Sequence, residues 1–265
     1  MIISSNKTCS IIEALSLSPR ELITLVGGGG KSTLMSALAE EARNAGLKAV
    51  ATTTTKVRGV EAQGIGKVVY WSCDNVSLEK LLGRCPGLFI GSEGVEDGKI
   101  GGIKPETADT LFLKYPLDFL IVEADGAAGR PLKAPAAHEP VIPSSTTLVV
   151  AVIGLEALGR PVSEELVFRT ERFEAVTGLK PGEIITAESI LPLFFLESGL
   201  FKSSPSGARK AVFLNKADLM NDAEAMVSLA KMILGGSSCQ LERVVAGSIA
   251  GKSFEVFLGG GEEIG

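Results

Sequence analysis

Apolar residues in this chain fall into two patterns: short unbroken runs and spaced stripes. The run Glu21 to Val26 (ELITLV) reads as a buried strand, and four consecutive glycines follow it. Leu34, Leu38 and Ala42 then recur at helical spacing, with Gly46 as a natural stop. Lys48 to Thr53 reads as another strand. Strand, glycine loop, helix and strand make a βαβ unit, which implies a mainly parallel sheet. The alternation continues. Strands are expected at Lys67 to Trp71, Gly87 to Gly91, Asp118 to Val122, Leu148 to Ile153 and Ala211 to Leu214, with Arg243 to Ala246 the last. Helices are expected over Val76 to Leu82, from Pro105 to about Lys114, and over Asp222 to Leu234. Residues 163–196 read as largely helical, broken near Gly178 to Gly182. Glu93 to Gly102 reads as glycine turns, and Gly129 to Pro143, with its four prolines, as extended loop. The expected fold is α/β, a three-layer arrangement of a mainly parallel sheet with helices on both faces.

No repeat or linker forces a second domain. One domain is expected over residues 1–265, with residues 1–20 as an N-terminal extension and 255–265 as a mobile tail. The formal net charge of -5 supplies no basic field for nucleic acid or anionic lipid. Leu148 to Leu155, the longest apolar run, is too short to span a bilayer, and the N-terminus lacks the pattern of a secretory signal. Cys9, Cys73, Cys85 and Cys239 are scattered without metal or redox spacing, as reduced thiols of a cytoplasmic protein would be.

The candidate chemistry starts at Gly27-Gly28-Gly29-Gly30-Lys31-Ser32-Thr33, between a strand and a helix. Glycines let the backbone curl around phosphate, and N–H groups at a helix start point at its oxygens. Lys31 reaches β- and γ-phosphates, and the Ser32 hydroxyl ligates magnesium. The fold is therefore expected to be of the P-loop NTPase type. The longer form of the pattern would need glycine at position 25, where Leu25 stands. The remaining G-x-x-G-K-S resembles the loop of Mur ligases.

The strand DFLIV ends in Glu123-Ala124-Asp125-Gly126. A carboxylate there faces the glycine loop across the crevice at the strand ends, so Asp125 or Glu123 is expected to hold magnesium. E-x-x-G resembles the motif of signal-recognition and metallochaperone GTPases, whose glycine N–H senses the γ-phosphate. Asn215-Lys216-Ala217-Asp218 follows another apolar strand and matches N-K-x-D: the carboxylate accepts two guanine N–H bonds while Asn215 and Lys216 brace the pocket. The expected ligands are Mg2+ with GTP or ATP. Thr52 to Thr55, Arg130, Lys133 and His138 are secondary candidates, each also readable as an ordinary strand-end or loop residue.

VGGGGKST, the ATTTTK run at Ala51 to Lys56, VEADGAAGRPLKAP, HEPVIP and LNKADL together resemble the YqeC family of selenium-dependent hydroxylase accessory proteins. The resemblance implies a nucleotide-binding maturation factor, partnered by a molybdenum hydroxylase or a cofactor-biosynthesis protein. The expected reaction is slow hydrolysis of a magnesium nucleoside triphosphate, with Lys31, Glu123 and Asp125 in the catalytic site. An ATP-dependent small-molecule kinase or ligase, or a non-hydrolysing nucleotide-binding regulator, are the alternatives.

Overall fold

The computed structural model describes residues 4–71, 78–82, 87–95, 98–220, 223–236 and 241–259. Ten strands build one large sheet: β1 (Ser4–Thr8), β2 (Glu21–Gly27), β3 (Ala49–Thr53), β4 (Lys67–Tyr70), β5 (Leu88–Gly91), β6 (Phe119–Glu123), β7 (Leu148–Gly154), β8 (Arg209–Asn215), β9 (Arg243–Ser248) and β10 (Ser253–Leu258). Their spatial order is β1-β10-β9-β8-β7-β2-β6-β3-β5-β4. All neighbours from β9 to β4 pair parallel; β10 is antiparallel to both β9 and β1. The fold is α/β, a large mixed and mostly parallel sheet flanked by helices on both faces.

Period-two alternation drives this layering. In β7, Val149, Ala151 and Ile153 enter one core while Leu148, Val150 and Val152 enter the other. Helix α2 (Lys31–Asn44) covers the second face with Leu34, Leu38 and Ala42, the stripe read from the sequence, together with Met35 and Ala39. It ends where Gly46 takes φ +74° and the Leu47 N–H donates back to Ala42 O at 2.9 Å. Helix α8 (Ala223–Gly235) packs Met226, Leu229, Ala230 and Ile233 on the first face. The other helices are α1 (Ile11–Ala14), α3 (Gly59–Ile65), α4 (Leu78–Leu82), α5 (Pro105–Lys114), α6 (Thr170–Thr177) and α7 (Pro192–Phe195).

Several elements differ from expectation. Residues 163–196 are mostly not helical. Val167–Phe168 forms a parallel bridge with Leu132–Lys133, Gly178 stops α6 in the left-handed region, and Pro192 starts a separate short helix. A β-branched and an aromatic residue are drawn into pairing, and Gly and Pro punctuate the remainder. Arg243 to Ala246 is not the last strand: β10 follows, so part of the stretch expected as mobile tail is paired on both edges. The stretch Glu93 to Gly102, expected as glycine turns, supplies two strands, Gly94–Val95 and Lys99–Ile100, of a three-stranded ribbon completed by Val57–Arg58. Residues 260–265, 222 and 76–77 lie outside the described residues. Among the described residues, no helix is long and apolar enough to cross a membrane.

Candidate functional site

The sheet order puts β2 between β6 and β7, so the loop after β2 opens between the ends of two central strands. Leu25 is an ordinary core residue of β2, paired with Glu123 of β6. Gly27, Gly29 and Gly30 take φ of +96°, +72° and +120°. A Cβ on Gly29 would lie 2.1 Å from Gly154 N, and one on Gly27 2.3 Å from Val152 O. Only glycine therefore fits against the end of β7.

The first three glycine amides are committed to the protein. Gly27 N–H donates to the Asp125 carboxylate at 3.1 and 3.2 Å. Gly28 N–H donates to Val152 O and Gly29 N–H to Arg130 O, each at 2.9 Å. This departs from the expectation that these amides cradle phosphate. The groups left over are at the start of α2, where Leu34 N–H is the first with an intrahelical acceptor, Gly30 O at 2.9 Å. Lys31, Ser32 and Thr33 precede it, and their N–H groups are the donors a helix N-terminus offers to an anion.

A buried chain of alternating charge runs from this loop. Lys31 Nζ lies 3.1 Å from Asp125 Oδ1 and 3.6 Å from Glu123 Oε1, and donates to Gly27 O at 2.5 Å. Asp125 Oδ2 is 3.1 Å from Lys133 Nζ, which donates at 2.8 Å to both Glu139 Oε2 and Gly126 O. Arg169 closes the chain as a bidentate partner of Glu139, its guanidinium 4.7 Å from the Phe168 ring centre. Both Asp125 and Lys133 are fully buried. Asp125, one of the two carboxylates expected at magnesium, is wedged between two lysines and the Gly27 amide. The carboxylate that reaches Ser32 is Glu123, whose Oε2 accepts from Ser32 Oγ at 3.0 Å.

These surroundings shift the charges. Burial pulls Lys31 down, but Asp125 and Glu123 outweigh it and hold its ammonium above the ordinary range. Burial pushes the Glu123 carboxyl up despite Lys31 and the Ser32 hydroxyl, and Asp125 and Glu61 add to the rise. Asp125, at the shorter distance, is therefore the counterion of Lys31. Burial would also raise Glu139, yet Arg169, Lys133 and the Ala136 N–H bring its carboxyl down to about 2.

A second wall comes from the end of β8. Asn215 is buried, and its Nδ2 donates to Gly29 O at 2.7 Å, tying the end of β8 to the glycine loop. Its Oδ1 is buried without a partner among the described residues. Lys216 takes φ +63° and pairs with Glu156, while Asp218 is exposed. One cavity of about 810 Å³ joins the loop from Gly28 to Thr33, Glu123, Gly126, Asn215, Lys216, Asp218 and Ser248. Asp125 and Gly27 lie behind this surface. Among the described residues, no group of three or more His, Cys, Asp or Glu side chains is arranged to hold a metal ion. Ser32 and Glu123 form the pair that, with ligand oxygens and water, could hold a hydrated divalent cation.

The model of the YqeC protein family matches residues 23–171. The chain is also 35% identical over 209 residues to "Uncharacterized protein YqeC" of Escherichia coli (strain K12), covering 78% of this chain and 80% of that protein. The chain belongs to the YqeC family. The family's matched span takes in the glycine loop, Glu123, Asp125, Lys133, Glu139 and Arg169; Asn215 to Asp218 lies beyond it. Among solved structures, the signal recognition particle receptor FtsY from Elizabethkingia anophelis aligns with TM-score 0.37 and 13% identity. That alignment covers 85% of this YqeC member and 58% of the receptor chain.

The secondary candidates divide. Thr52, Thr53 and Thr54 donate to Ile90 O, Glu123 O and Val141 O at 2.7–2.9 Å; Thr55 reaches the cavity. Lys133 is sealed in the charge chain. Arg130 lines the cavity, with its guanidinium on Glu164 O and Ala128 O, each at 2.8 Å. His138 is exposed and outside the cavity. Arg169 pairs with Glu139, where Glu165 or Glu171 would be its sequence neighbours. Sequence reading missed Lys56, Arg58, Glu61, Lys99 and Phe168 on the cavity wall. Lys56 and Arg58 were within reach, because they follow β3 at the strand edge where α/β sheets bind ligands. Lys99 gave no local signal and arrives by ribbon pairing.

Proposed function

We propose that this YqeC member binds a magnesium nucleoside triphosphate, with guanine preferred over adenine, and hydrolyses it slowly. In this reading residues 1–265 act as one cytoplasmic P-loop NTPase unit. The observation that carries it is the meeting of three features in one cavity: free amides at the start of α2, the Ser32–Glu123 pair, and exposed Asp218 beside Asn215. The residues fit such a ligand. The first three α2 amides lack intrahelical partners, and Asn215 Oδ1 is a buried acceptor without a donor among the described residues, a deficit of about 1–3 kcal/mol that a bound donor relieves.

The α2 amides bind phosphate oxygens, and Lys31 supplies positive charge beside them once it turns from Gly27 O. Glu123 and Ser32 would hold magnesium, which when bound neutralises phosphate charge. Asp218 accepts from the guanine N–H groups. Asn215 keeps the base wall in register with Gly29. Asp125 serves as the anchor that fixes Gly27, Lys31 and Lys133.

The biological role rests on the resemblance carried by VEADGAAGRPLKAP and its companion pieces: a maturation factor for selenium-dependent molybdenum hydroxylases, acting on the hydroxylase or a cofactor-biosynthesis protein. Phosphate release from GTP tests the activity. The expected result is magnesium-dependent turnover that Glu123→Gln abolishes while GTP still binds. Unchanged turnover in Glu123→Gln would refute this assignment of the site.

A further inference from the structure

One wall of the cavity has no part in the reading above. Lys56, Arg58 and Lys99 all line it, all are exposed, and none forms an ion pair or side-chain hydrogen bond with a described residue. Arg58 and Lys99 are directly opposite each other in the antiparallel ribbon of Val57–Arg58 with Lys99–Ile100. Like charges directly opposite on neighbouring strands repel, with Cβ atoms only about 5 Å apart. The ribbon is also closely drawn together: a Cβ on Gly59 would lie 2.8 Å from Gly98 O. Two cations held side by side over a cavity, with no ion-pair partner among the described residues, suit an oxyanion that bridges both.

We propose that Arg58 and Lys99, with Lys56, form the anion subsite of a second ligand, a phosphate-bearing small molecule that shares the cavity with the triphosphate. The location follows from α3. Glu61, three residues after Arg58, has its Oε2 3.5 Å from Ser32 Oγ. The ribbon therefore lies at the Ser32 end of the cavity, while Asn215 and Asp218 form the base wall. A second ligand held there sits beside the terminal phosphate, as a co-substrate does. The co-substrate role rests on the triphosphate reading; the anion subsite itself does not.

The test is calorimetric titration of inorganic phosphate into full-length protein saturated with magnesium and a non-hydrolysable GTP analogue. Saturable phosphate binding is expected, and the double substitution Arg58→Ala, Lys99→Ala should weaken it at least about tenfold while leaving analogue affinity within about twofold. Phosphate that fails to bind the analogue-saturated protein, or binds the double variant equally well, overturns the proposal. So does a double variant that loses analogue binding by the same factor, because the ribbon then serves the nucleotide. If the analogue itself does not bind, the triphosphate reading falls, and the same titration on nucleotide-free protein still decides this one. Phosphate binding lost in the double variant and kept in Lys31→Ala supports the subsite; the reverse overturns it.

Discussion

Replacing Asp125 by asparagine separates an anchor from a metal ligand. The side chain is fully buried, with Lys31 Nζ and Lys133 Nζ each at 3.1 Å and the Gly27 amide within 3.2 Å. Asparagine keeps the shape and one acceptor oxygen. It also removes the negative charge between two buried ammonium groups and turns an NH₂ toward one of the donors. Breaking a buried pair by removing one partner costs about 3–5 kcal/mol. Glu139 still neutralises Lys133, and Glu123 remains 3.6 Å from Lys31, so the lower half of that range is expected. Against a typical total of about 5–15 kcal/mol, such a loss is large. Urea denaturation of the nucleotide-free protein with and without the substitution measures it. A metal-ligand carboxylate behaves oppositely: without its cation it is a repelled charge, and neutralising it leaves stability unchanged or higher. A loss below about 1 kcal/mol for Asp125→Asn would refute the anchoring role.

Glu123 gives the matching contrast. Its carboxyl is raised by burial, so its ionised form opposes folding at neutral pH, and Glu123→Gln should leave the nucleotide-free protein equally or more stable in the same urea experiment. The acid limb of kcat/KM, which reports the nucleotide-free and metal-free protein, should lie at a higher pH than an ordinary glutamate would dictate; a kcat/KM profile with no such limb contradicts it. Glu139 runs the other way. Held at about 2 against an ordinary 4.5, it contributes about 3 kcal/mol that is present above 4.5 and lost as pH falls toward 2. In Glu139→Gln, acid titration of stability should flatten over that window. Asp218→Asn should weaken GTP binding by about 2–4 kcal/mol and improve XTP binding, with ATP binding little changed; unchanged GTP and XTP affinities in competition binding would show that Asp218 does not read the base.

Strands buried on both faces were legible because their apolar runs are continuous: β2, β6, β7 and β8 all fall within a residue or two of expectation. β1 and β10 were not. Ser4–Thr8 is a polar edge strand, and Ser253–Leu258 alternates where a tail was expected, so both depend on a partner distant in sequence. The glycine loop, Glu123, Asp125 and Asn215 were legible as residue types at strand ends. Their division of labour was not, since it depends on Lys133 and Arg130 O arriving from the proline-rich loop. Local spacing does not reveal that Asp125 is sealed between two lysines or that Glu123 turns to Ser32.

The claim on which the account depends is that the α2 N-terminus and Lys31 receive a triphosphate. Isothermal titration of magnesium GTP and magnesium ATP into the parent protein and Lys31→Ala addresses it directly. The account predicts binding to the parent with GTP the tighter ligand, and a loss of at least about tenfold, about 1.4 kcal/mol, in Lys31→Ala. Equal affinities in the two proteins, or no heat of binding from either nucleotide, would contradict it.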